Sequence, residues 1–159
     1  MSEEVRRTSV RLLSDARLER GFIMDRLADF NDLLRQLTGK PGMLTYGKLE
    51  VILNQPNFFL LVLIDDDRDG MPIVGMASID FTDMMNKVRA TVEDVIVDDH
   101  YRGQGLGGKL LDAMMIIARA RQATSIVLTS NPVRTAAHKL YESRGFVKRD
   151  TNVFVLKIA

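Results

Sequence analysis

The chain has 159 residues, of which 46% are hydrophobic and 27% charged, and its net charge is +1 at pH 7. This length and composition predict one globular domain over residues 1–159, with enough apolar material for a single core. The small net charge excludes a general electrostatic attraction to nucleic acid or to an anionic membrane, and the lack of cysteine excludes disulfides, thiolate metal ligands and cysteine nucleophiles.

The first part of the chain predicts a strand and two helices. A partly alternating stretch predicts a strand over Thr8–Leu13. Apolar residues that recur at three- and four-residue spacing predict a helix over residues 15–38, which Gly39 ends. Thr45 is placed to cap a second, shorter helix that runs to about residue 54.

Two apolar runs separated by an acidic turn predict a β-hairpin. The strands cover residues 58–64 and 72–81, and the turn covers residues 65–70. The run of aspartates in that turn looks like a calcium loop at first sight. Because it lacks the bidentate glutamate and the flanking helices of an EF-hand, a solvated turn is the favoured interpretation.

The remaining chain predicts a polar connection, a strand that enters a glycine-rich loop, an amphipathic helix, a short strand, a further helix and two closing strands. Gly145 follows the last helix at the position where glycine commonly ends one. The predicted bounds of these elements, without the loop, are residues 82–90, 91–97, 106–121, 125–129, 134–144, 146–148 and 153–158.

The glycine-rich loop between the strand and the helix is the most informative part of the sequence. Glycines allow backbone N–H groups to approach a ligand closely, and the helix that follows directs its unpaired N–H groups and its positive dipole end at the same point. The pattern therefore predicts an anion site that suits a phosphate or a diphosphate. The segment reads Arg102, Gly103, Gln104, Gly105, Leu106, Gly107 and Gly108.

Two nucleotide-binding motifs match this loop incompletely. The spacing of Gly103, Gly105 and Gly108 satisfies the dinucleotide fingerprint, but five residues separate the strand from the glycines and no acidic residue ends the next strand. The loop also nearly matches a P-loop, but Leu110 stands where a serine or threonine must hold Mg²⁺. Both motifs are therefore disfavoured.

A third pattern covers more of the chain. Arg102-x-x-Gly105-x-Gly107, after a strand and before a helix, resembles the pyrophosphate loop of the GNAT superfamily of acetyl-CoA-dependent N-acetyltransferases. The later pattern Ala137-x-x-Leu140-Tyr141-x-x-x-Gly145-Phe146 resembles the superfamily's second CoA-contacting motif. The resemblance implies an α/β (α+β) fold of GNAT type, with a mixed, mostly antiparallel sheet flanked by helices and splayed at the cofactor strand.

Two segments are also similar to the glucosamine-6-phosphate N-acetyltransferases. These enzymes share Gly-Phe and Gln-Leu-Thr in their first helix, as in Gly21-Phe22 and Gln36-Leu37-Thr38, and a strand like residues 93–97. The chain departs from that group at residues 131–137, so this similarity does not identify the acceptor.

The resemblance implies roles for individual residues. Tyr141 becomes the candidate general acid. Glu93 is the candidate general base, since a carboxylate in a mostly apolar strand is unusual; strand alternation places it on one face with Val95 and Val97, and Asp94 and Ile96 on the other. The predicted cofactor-binding residues are Val95, Ile96, Val97, Arg102, Gly103, Gln104, Gly105, Leu106, Gly107, Gly108, Asn131 and His138.

Structural roles compete with several of these assignments. Glu93 would equally form an edge salt bridge, and Tyr141 would be a core residue whose hydroxyl reaches the surface. Asn131 would cap the helix that follows it, and His138 would be a partly buried structural residue.

The predicted function is transfer of the acetyl group of acetyl-CoA to a primary amine of a small molecule or peptide, by direct attack in a ternary complex. The alternatives are a CoA-binding sensor or degenerate member without turnover, and a P-loop-like nucleotide-binding protein.

The expected partners are the amine substrate and a second copy of the chain. The second copy would bind through Met84, Met85 and residues 153–158. Neither nucleic acid nor a membrane is an expected partner.

The sequence predicts no resident metal and a cytoplasmic location. Its two histidines, His100 and His138, lie far apart, which disfavours a histidine-rich metal centre. No segment approaches the roughly 18 apolar residues that a membrane span needs, and the N-terminus does not have the pattern of a signal peptide.

Overall fold

The computed structural model describes residues 6–13 and 19–158. Their five strands form one sheet in the order β1-β2-β3-β4-β5, in which the first three pairs are antiparallel and β4–β5 is parallel. This mixed α+β architecture confirms the predicted fold class. The elements are β1 (Thr8–Leu13), α1 (Arg20–Asp25), α2 (Leu27–Thr38), α3 (Tyr46–Leu53), β2 (Phe58–Asp65), β3 (Ile73–Met84), β4 (Lys87–Val97), a 3₁₀ turn (Asp99–Tyr101), α4 (Leu106–Ala120), β5 (Ala123–Val127) and α5 (Thr135–Ser143).

The single long helix predicted over residues 15–38 is interrupted. Residues 15–18 lie outside the described part of the chain, and the rest forms α1 and α2 with a break at Arg26, whose φ and ψ are −119° and 14°. The buried Arg26 guanidinium donates to the carbonyl oxygens of Phe22, Gly70 and Met71. These contacts tie the helix break to the β2–β3 turn, an interaction across the fold that helical periodicity does not reveal.

The region predicted as a polar connection over residues 82–90 is instead the end of a long hairpin. β3 continues to Met84 and β4 begins at Lys87, with Met84 paired to Lys87. The prediction was wrong because polar side chains do not prevent a strand when the backbone finds a ladder partner and the side chains reach solvent. The predicted cap of α3 is confirmed, since the Thr45 hydroxyl accepts from the Lys48 N–H.

The core occupies both faces of the sheet. One face packs against the N-terminal helices, and its buried cluster is Leu13, Ile23, Phe30, Leu33, Leu49, Leu53, Leu60, Val62, Ile64, Ile73, Met76 and Ile96. By strand alternation the other face carries Leu61, Ala77, Ile79 and Val92, and α4 contacts the strands there with Leu110, Leu111 and Met114 buried. None of the helices in the described residues is long and apolar enough to cross a membrane.

The chain divides into two compact units, Met1–Thr129 and Ser130–Ala159. The first holds the whole sheet. The second holds α5, followed by residues 146–158 without helix or strand. The strands predicted over residues 146–148 and 153–158 are therefore not formed; within the second unit there is no other described strand with which they could pair.

Candidate functional site

The sheet opens along β4. The parallel ladder between β4 and β5 runs only from Val88 paired with Ala123 to Thr91 paired with Val127. On its other side β4 stays paired with β3 as far as Val97. Within the described part of the chain, the second half of β4 therefore has one paired and one open edge, which confirms the predicted splay at this strand. Backbone groups on an open edge are available to an extended ligand.

A β-bulge lies in the open half of β4. Ser78 pairs with Glu93 and Met76 pairs with Ile96, so three residue steps in β4 lie opposite two in β3. Asp94 accommodates the extra residue with a left-handed φ of 53°. Paired residues share a face of the sheet, so the exposed Glu93 side chain lies on the same face as Ile96. This is the face that packs against the N-terminal helices.

The bulge corrects the predicted grouping of side chains on this strand. Glu93 does not share a face with Val97, and Ile96 is part of the buried core. The predicted grouping of Glu93 with Val95 and Val97, opposite Asp94 and Ile96, was wrong because one inserted residue reverses the alternation beyond it. Ile96 can serve a ligand through its backbone only.

The bulge also gives Asp94 two unfavourable features. A residue with a side chain is strained in the left-handed region of backbone conformation, although aspartate tolerates this conformation better than most residues. Desolvation raises the pKa of the Asp94 carboxyl above its ordinary value of 3.8. The native state therefore loses stability as pH rises through the interval between the ordinary pKa and the raised one, because the unfolded chain then binds fewer protons than the folded one.

We expect Asp94→Gly to stabilise the fold by about 0.5–1 kcal/mol through the backbone alone. The gain should grow as pH rises from below 3.8 to neutrality. Gln122→Gly is the matched control, since Gln122 also has a positive φ, 56°, but no ionisable group. Urea unfolding of both variants at several pH values measures the difference; a gain for Asp94→Gly that does not change with pH contradicts the expectation.

The glycine loop, residues 98–105, joins β4 to α4. Gly103 and Gly105 have φ of 80° and 72°, and a Cβ added at either would meet no atom within 4 Å. The first turn of α4 closes with the Lys109 N–H donating to the carbonyl of the N-cap residue Gly105 at 3.3 Å. The N–H groups of residues 106–108 come before this bond and therefore have no acceptor within the helix. Exposed glycines and early helical N–H groups around open space are what an anion site requires.

The predicted loop residues differ in what they can offer a ligand. Arg102, Gly103, Gln104 and Gly105 are exposed. Leu106 is buried, so only its N–H can serve the site. The Arg102 guanidinium is engaged locally, since it donates to the Val97 carbonyl at the end of β4 and forms an ion pair of 2.6 Å with Asp99 in the loop. The structure thus favours backbone recognition at this loop.

Three hydrogen bonds that sequence reasoning missed, made by the side chains of Gln36 and Tyr101, hold the start of the glycine loop. The Gln36 side chain of α2 donates to Asp98 Oδ2 at 2.7 Å and accepts from the Asp99 N–H at 3.0 Å. The buried Tyr101 hydroxyl donates to Asp65 Oδ2 at 2.7 Å, and Asp65 is fully buried at the end of β2. Their partners lie far apart in the chain, so no local pattern signals them.

Asp98 is the centre of this anchored segment. Its Oδ1 accepts from the His100 N–H at 2.9 Å and lies 3.0 Å from His100 Nδ1. Desolvation acts to raise the pKa of Asp98, but the hydrogen bonds from Gln36 and from the backbone and ring of His100 outweigh it and lower the pKa. Asp98 therefore stays ionised at neutral pH and remains an acceptor.

A cavity of about 1200 Å³ lies within the first unit, between α2, the β2–β3 turn and the start of the glycine loop. Its lining is rich in charge of both signs and includes Asp29, Asp67, Asp98, Arg6 and Arg68. Among the residues that the structure describes, no group of three or more histidine or carboxylate side chains is placed to hold a metal ion.

In the second unit, the motif around Tyr141 forms a helix C-terminus. The Phe146 N–H donates to the Tyr141 carbonyl at 3.1 Å, and the Gly145 N–H donates to the Glu142 carbonyl at 3.0 Å, with Gly145 at φ 85°. This is a Schellman motif, and it confirms Gly145 as the residue that ends the helix. The Tyr141 and Phe146 rings lie 5.9 Å apart, so the motif also positions the phenol.

The remaining candidates also lie in the second unit. Partial burial raises the pKa of the Tyr141 phenol through desolvation, partly opposed by the charge of Arg134. Asn131 Oδ1 accepts from the Val133 N–H at 3.0 Å, so Asn131 stabilises the turn before α5. His138 is half-buried on α5, one helical turn before Tyr141. A protonated phenol at neutral pH is the state that a general acid needs.

Several solved structures with the same fold are described as acetyltransferases. Glucosamine-6-phosphate N-acetyltransferase from Arabidopsis thaliana is 20% identical, with a TM-score of 0.76 over 94% of this chain and 98% of that one. Aminoglycoside N-acetyltransferase AAC(6')-Iy, whose structure contains CoA, is 17% identical, with a TM-score of 0.75 over all of both chains. At these identities the likeness shows the fold alone.

One sequence relative and a family model carry the comparison further. N-acetylaspartate synthetase from Xenopus tropicalis is 46% identical over 50 residues, which are 31% of this chain and 18% of that protein. The model of the acetyltransferase (GNAT) family matches residues 27–146, most of the chain. This match confirms the family that the glycine-rich loop and the Tyr141 motif led us to expect. The chain belongs to the GNAT family of acetyltransferases.

Proposed function

We propose that this protein transfers the acetyl group of acetyl-CoA to a primary amine of a small molecule or peptide, by direct attack in a ternary complex. The observation that carries the proposal is the conjunction, on one strand, of an open edge and an exposed glycine loop that opens a helix. An extended chain that ends in a diphosphate matches both features. The lack of cysteine agrees with a mechanism that needs no thiol nucleophile on the enzyme.

The diphosphate would be held by backbone N–H groups of residues 102–108. The negative charge of the diphosphate would be stabilised there by the positive, N-terminal end of the α4 dipole. The amide-bearing pantetheine arm would pair with the backbone of Val95–Val97, as an added strand pairs with a sheet edge. Asn131 and His138 would contact the same arm or help to place it. The open space beside Gly103 and Gly105 supports the placement of the diphosphate at this loop.

In this proposal Glu93 and Tyr141 carry out the two proton transfers that involve the enzyme. Acetyl-CoA supplies an activated acyl carbon and a thiolate leaving group. Glu93, directly or through water, takes the proton from the substrate ammonium so that the neutral nitrogen forms the new C–N bond. As the C–S bond breaks, Tyr141 gives its phenolic proton to the departing sulfur. The acetylated nitrogen loses its second proton to solvent, and the Tyr141 phenolate regains a proton from solvent. The raised pKa of Tyr141 supports the second role, because the proton is present at neutral pH.

The acceptor would bind on the side of the sheet that faces the N-terminal helices, since the bulge directs Glu93 to that side. A small amine or a peptide amine is compatible with these observations. Aminoglycosides are the substrates named for one structural neighbour.

We further propose that residues 1–159 work as one N-acetyltransferase domain. The family match supports this because it crosses the boundary between the two units. A homodimer through Met84, Met85 and residues 153–158 is supported by the exposure of these apolar side chains. The cytoplasmic location stays a prediction.

Thermal unfolding with and without millimolar acetyl-CoA, followed by a thiol-release assay over amino sugars, amino acids, polyamines, aminoglycosides and peptide N-termini, tests the proposal. We expect stabilisation by acetyl-CoA and thiol release with at least one amine class. Stabilisation without thiol release for any amine would favour a CoA sensor. Binding of Mg-ATP in place of acetyl-CoA would favour the nucleotide-binding alternative and contradict the proposal.

A further inference from the structure

The segment between β4 and the exposed glycines has few free backbone or side-chain groups. Asp98 donates its N–H to the Val74 carbonyl and accepts from the Tyr101 N–H, both at 2.9 Å. Its carboxylate caps the 3₁₀ turn through the His100 N–H. Residues 98–101 therefore form a small rigid body whose orientation sets the direction in which the following loop leaves the sheet.

Side chains from elsewhere in the described first unit anchor that rigid body at two points. One is the Tyr101 hydroxyl, which donates to the buried Asp65 on the sheet and accepts from the Arg6 guanidinium at 3.1 Å. The other is the Gln36 amide of α2, which uses both of its ends, with Nε2 on the Asp98 carboxylate and Oε1 on the Asp99 N–H. Two bonds from one planar amide fix an orientation as well as a distance, and the bond to a carboxylate is charge-assisted.

We propose that Gln36 is a positioning residue for acetyl-CoA, which it affects through the glycine loop without touching the ligand. The inference rests on the proposed function, since it concerns the same diphosphate site. Backbone N–H groups bind an anion well only when they converge before the ligand arrives. Loss of the Gln36 clamp leaves the Tyr101 anchor and the bond from the Asp98 N–H to the Val74 carbonyl, but it removes both bonds that tie the segment to α2, so the loop is held less firmly in one orientation. The binding of CoA then weakens while the proton-transfer groups remain as they were.

Asn31 provides a matched control on the same helix. Like Gln36, it uses both the nitrogen and the oxygen of its side-chain amide. The nitrogen donates to the Leu44 carbonyl at 3.0 Å and the oxygen accepts from the Leu44 N–H at 2.7 Å. Asn31 holds the connection from α2 to α3 instead of the glycine loop. Gln36→Ala and Asn31→Ala therefore remove the same kind of clamp from different targets.

The experiment measures the Kd for CoA by calorimetry, the thermal midpoint, and KM and kcat for acetyl-CoA and an accepted amine. We expect Gln36→Ala to raise the Kd for CoA and the KM for acetyl-CoA by roughly fivefold, from the loss of two hydrogen bonds. The KM for the amine and kcat should stay within about twofold. Asn31→Ala should lower the thermal midpoint and leave the Kd for CoA unchanged.

A charge swap distinguishes positioning from general loosening. Gln36→Glu alone places two carboxylates together and should weaken CoA binding more than Gln36→Ala. Adding Asp98→Asn supplies a donor at position 98 and an acceptor at position 36, while the Asp99 and His100 N–H groups keep their acceptors. The double variant should bind CoA within about twofold of the wild type.

The outcomes separate this inference from the proposed function. If the wild type binds no CoA, both fail. If the wild type binds CoA and Gln36→Ala binds it equally well, the positioning role alone is overturned. The same holds if the double variant binds no better than Gln36→Glu. Should Gln36→Ala fail to fold, the comparison of Gln36→Glu with the double variant decides the question by itself.

Discussion

Replacement of Tyr141 by Phe should lower kcat by about 10²–10⁴-fold, the usual contribution of a positioned general acid, and leave the Kd for CoA within about twofold. The ring of Tyr141 would keep its packing against Phe146, so the change removes one hydroxyl and little else. Steady-state kinetics in parallel with calorimetry separates the two effects. An unchanged kcat would remove Tyr141 from the chemistry.

The pH dependence of kcat gives a second test of the role of Tyr141. Because desolvation raises the pKa of the phenol above its ordinary value of 10, the acid form is retained across the neutral and mildly basic range. Titration of this group should therefore not lower the wild-type kcat below pH 10. Tyr46→Phe on α3 is the control for loss of a phenol elsewhere, and its kcat should match the wild type. A basic limb below pH 10 that persists in Tyr141→Phe would assign that limb to another group.

Local patterns were sufficient for most of the fold. The apolar runs of β2 and β3, the cap at Thr45 and the glycine at position 145 each have a physical reason within a few residues of chain. The glycine loop was predictable for the same reason, since Gly103 and Gly105 hold positive φ values that favour glycine. The proposed anion site depends on those residues and on the helix after them.

Interactions between distant segments explain what was missed. The bulge at Asp94 depends on the register with β3, and aspartate in a strand gives no warning of a left-handed residue. That single insertion changed which side chains share a face with Glu93. The break at Arg26 and the Gln36 clamp on Asp98 join elements separated by tens of residues, which periodicity cannot detect. Residues that position a site are therefore harder to predict than residues that form it.

Gly105→Ala should weaken CoA binding by at least about tenfold, or 1.4 kcal/mol, with a corresponding rise in the KM for acetyl-CoA. The added methyl group meets no protein atom within 4 Å, so it projects into open space at the mouth of α4. That space is where the proposed diphosphate approaches the backbone N–H groups. The methyl group would keep the anion away from donors that act only at short range.

Backbone strain is the competing explanation, and Gly39→Ala controls for it. Gly39 caps α2 at φ 71° and ψ 10°, while Gly105 caps α4 at φ 72° and ψ 9°, and a Cβ at Gly39 also meets nothing within 4 Å. Both substitutions should cost about 1–2 kcal/mol of stability, the usual penalty of the left-handed region. Only Gly105→Ala should change the Kd for CoA. Equal effects of the two variants on CoA binding, measured by calorimetry on folded protein, would place the diphosphate elsewhere.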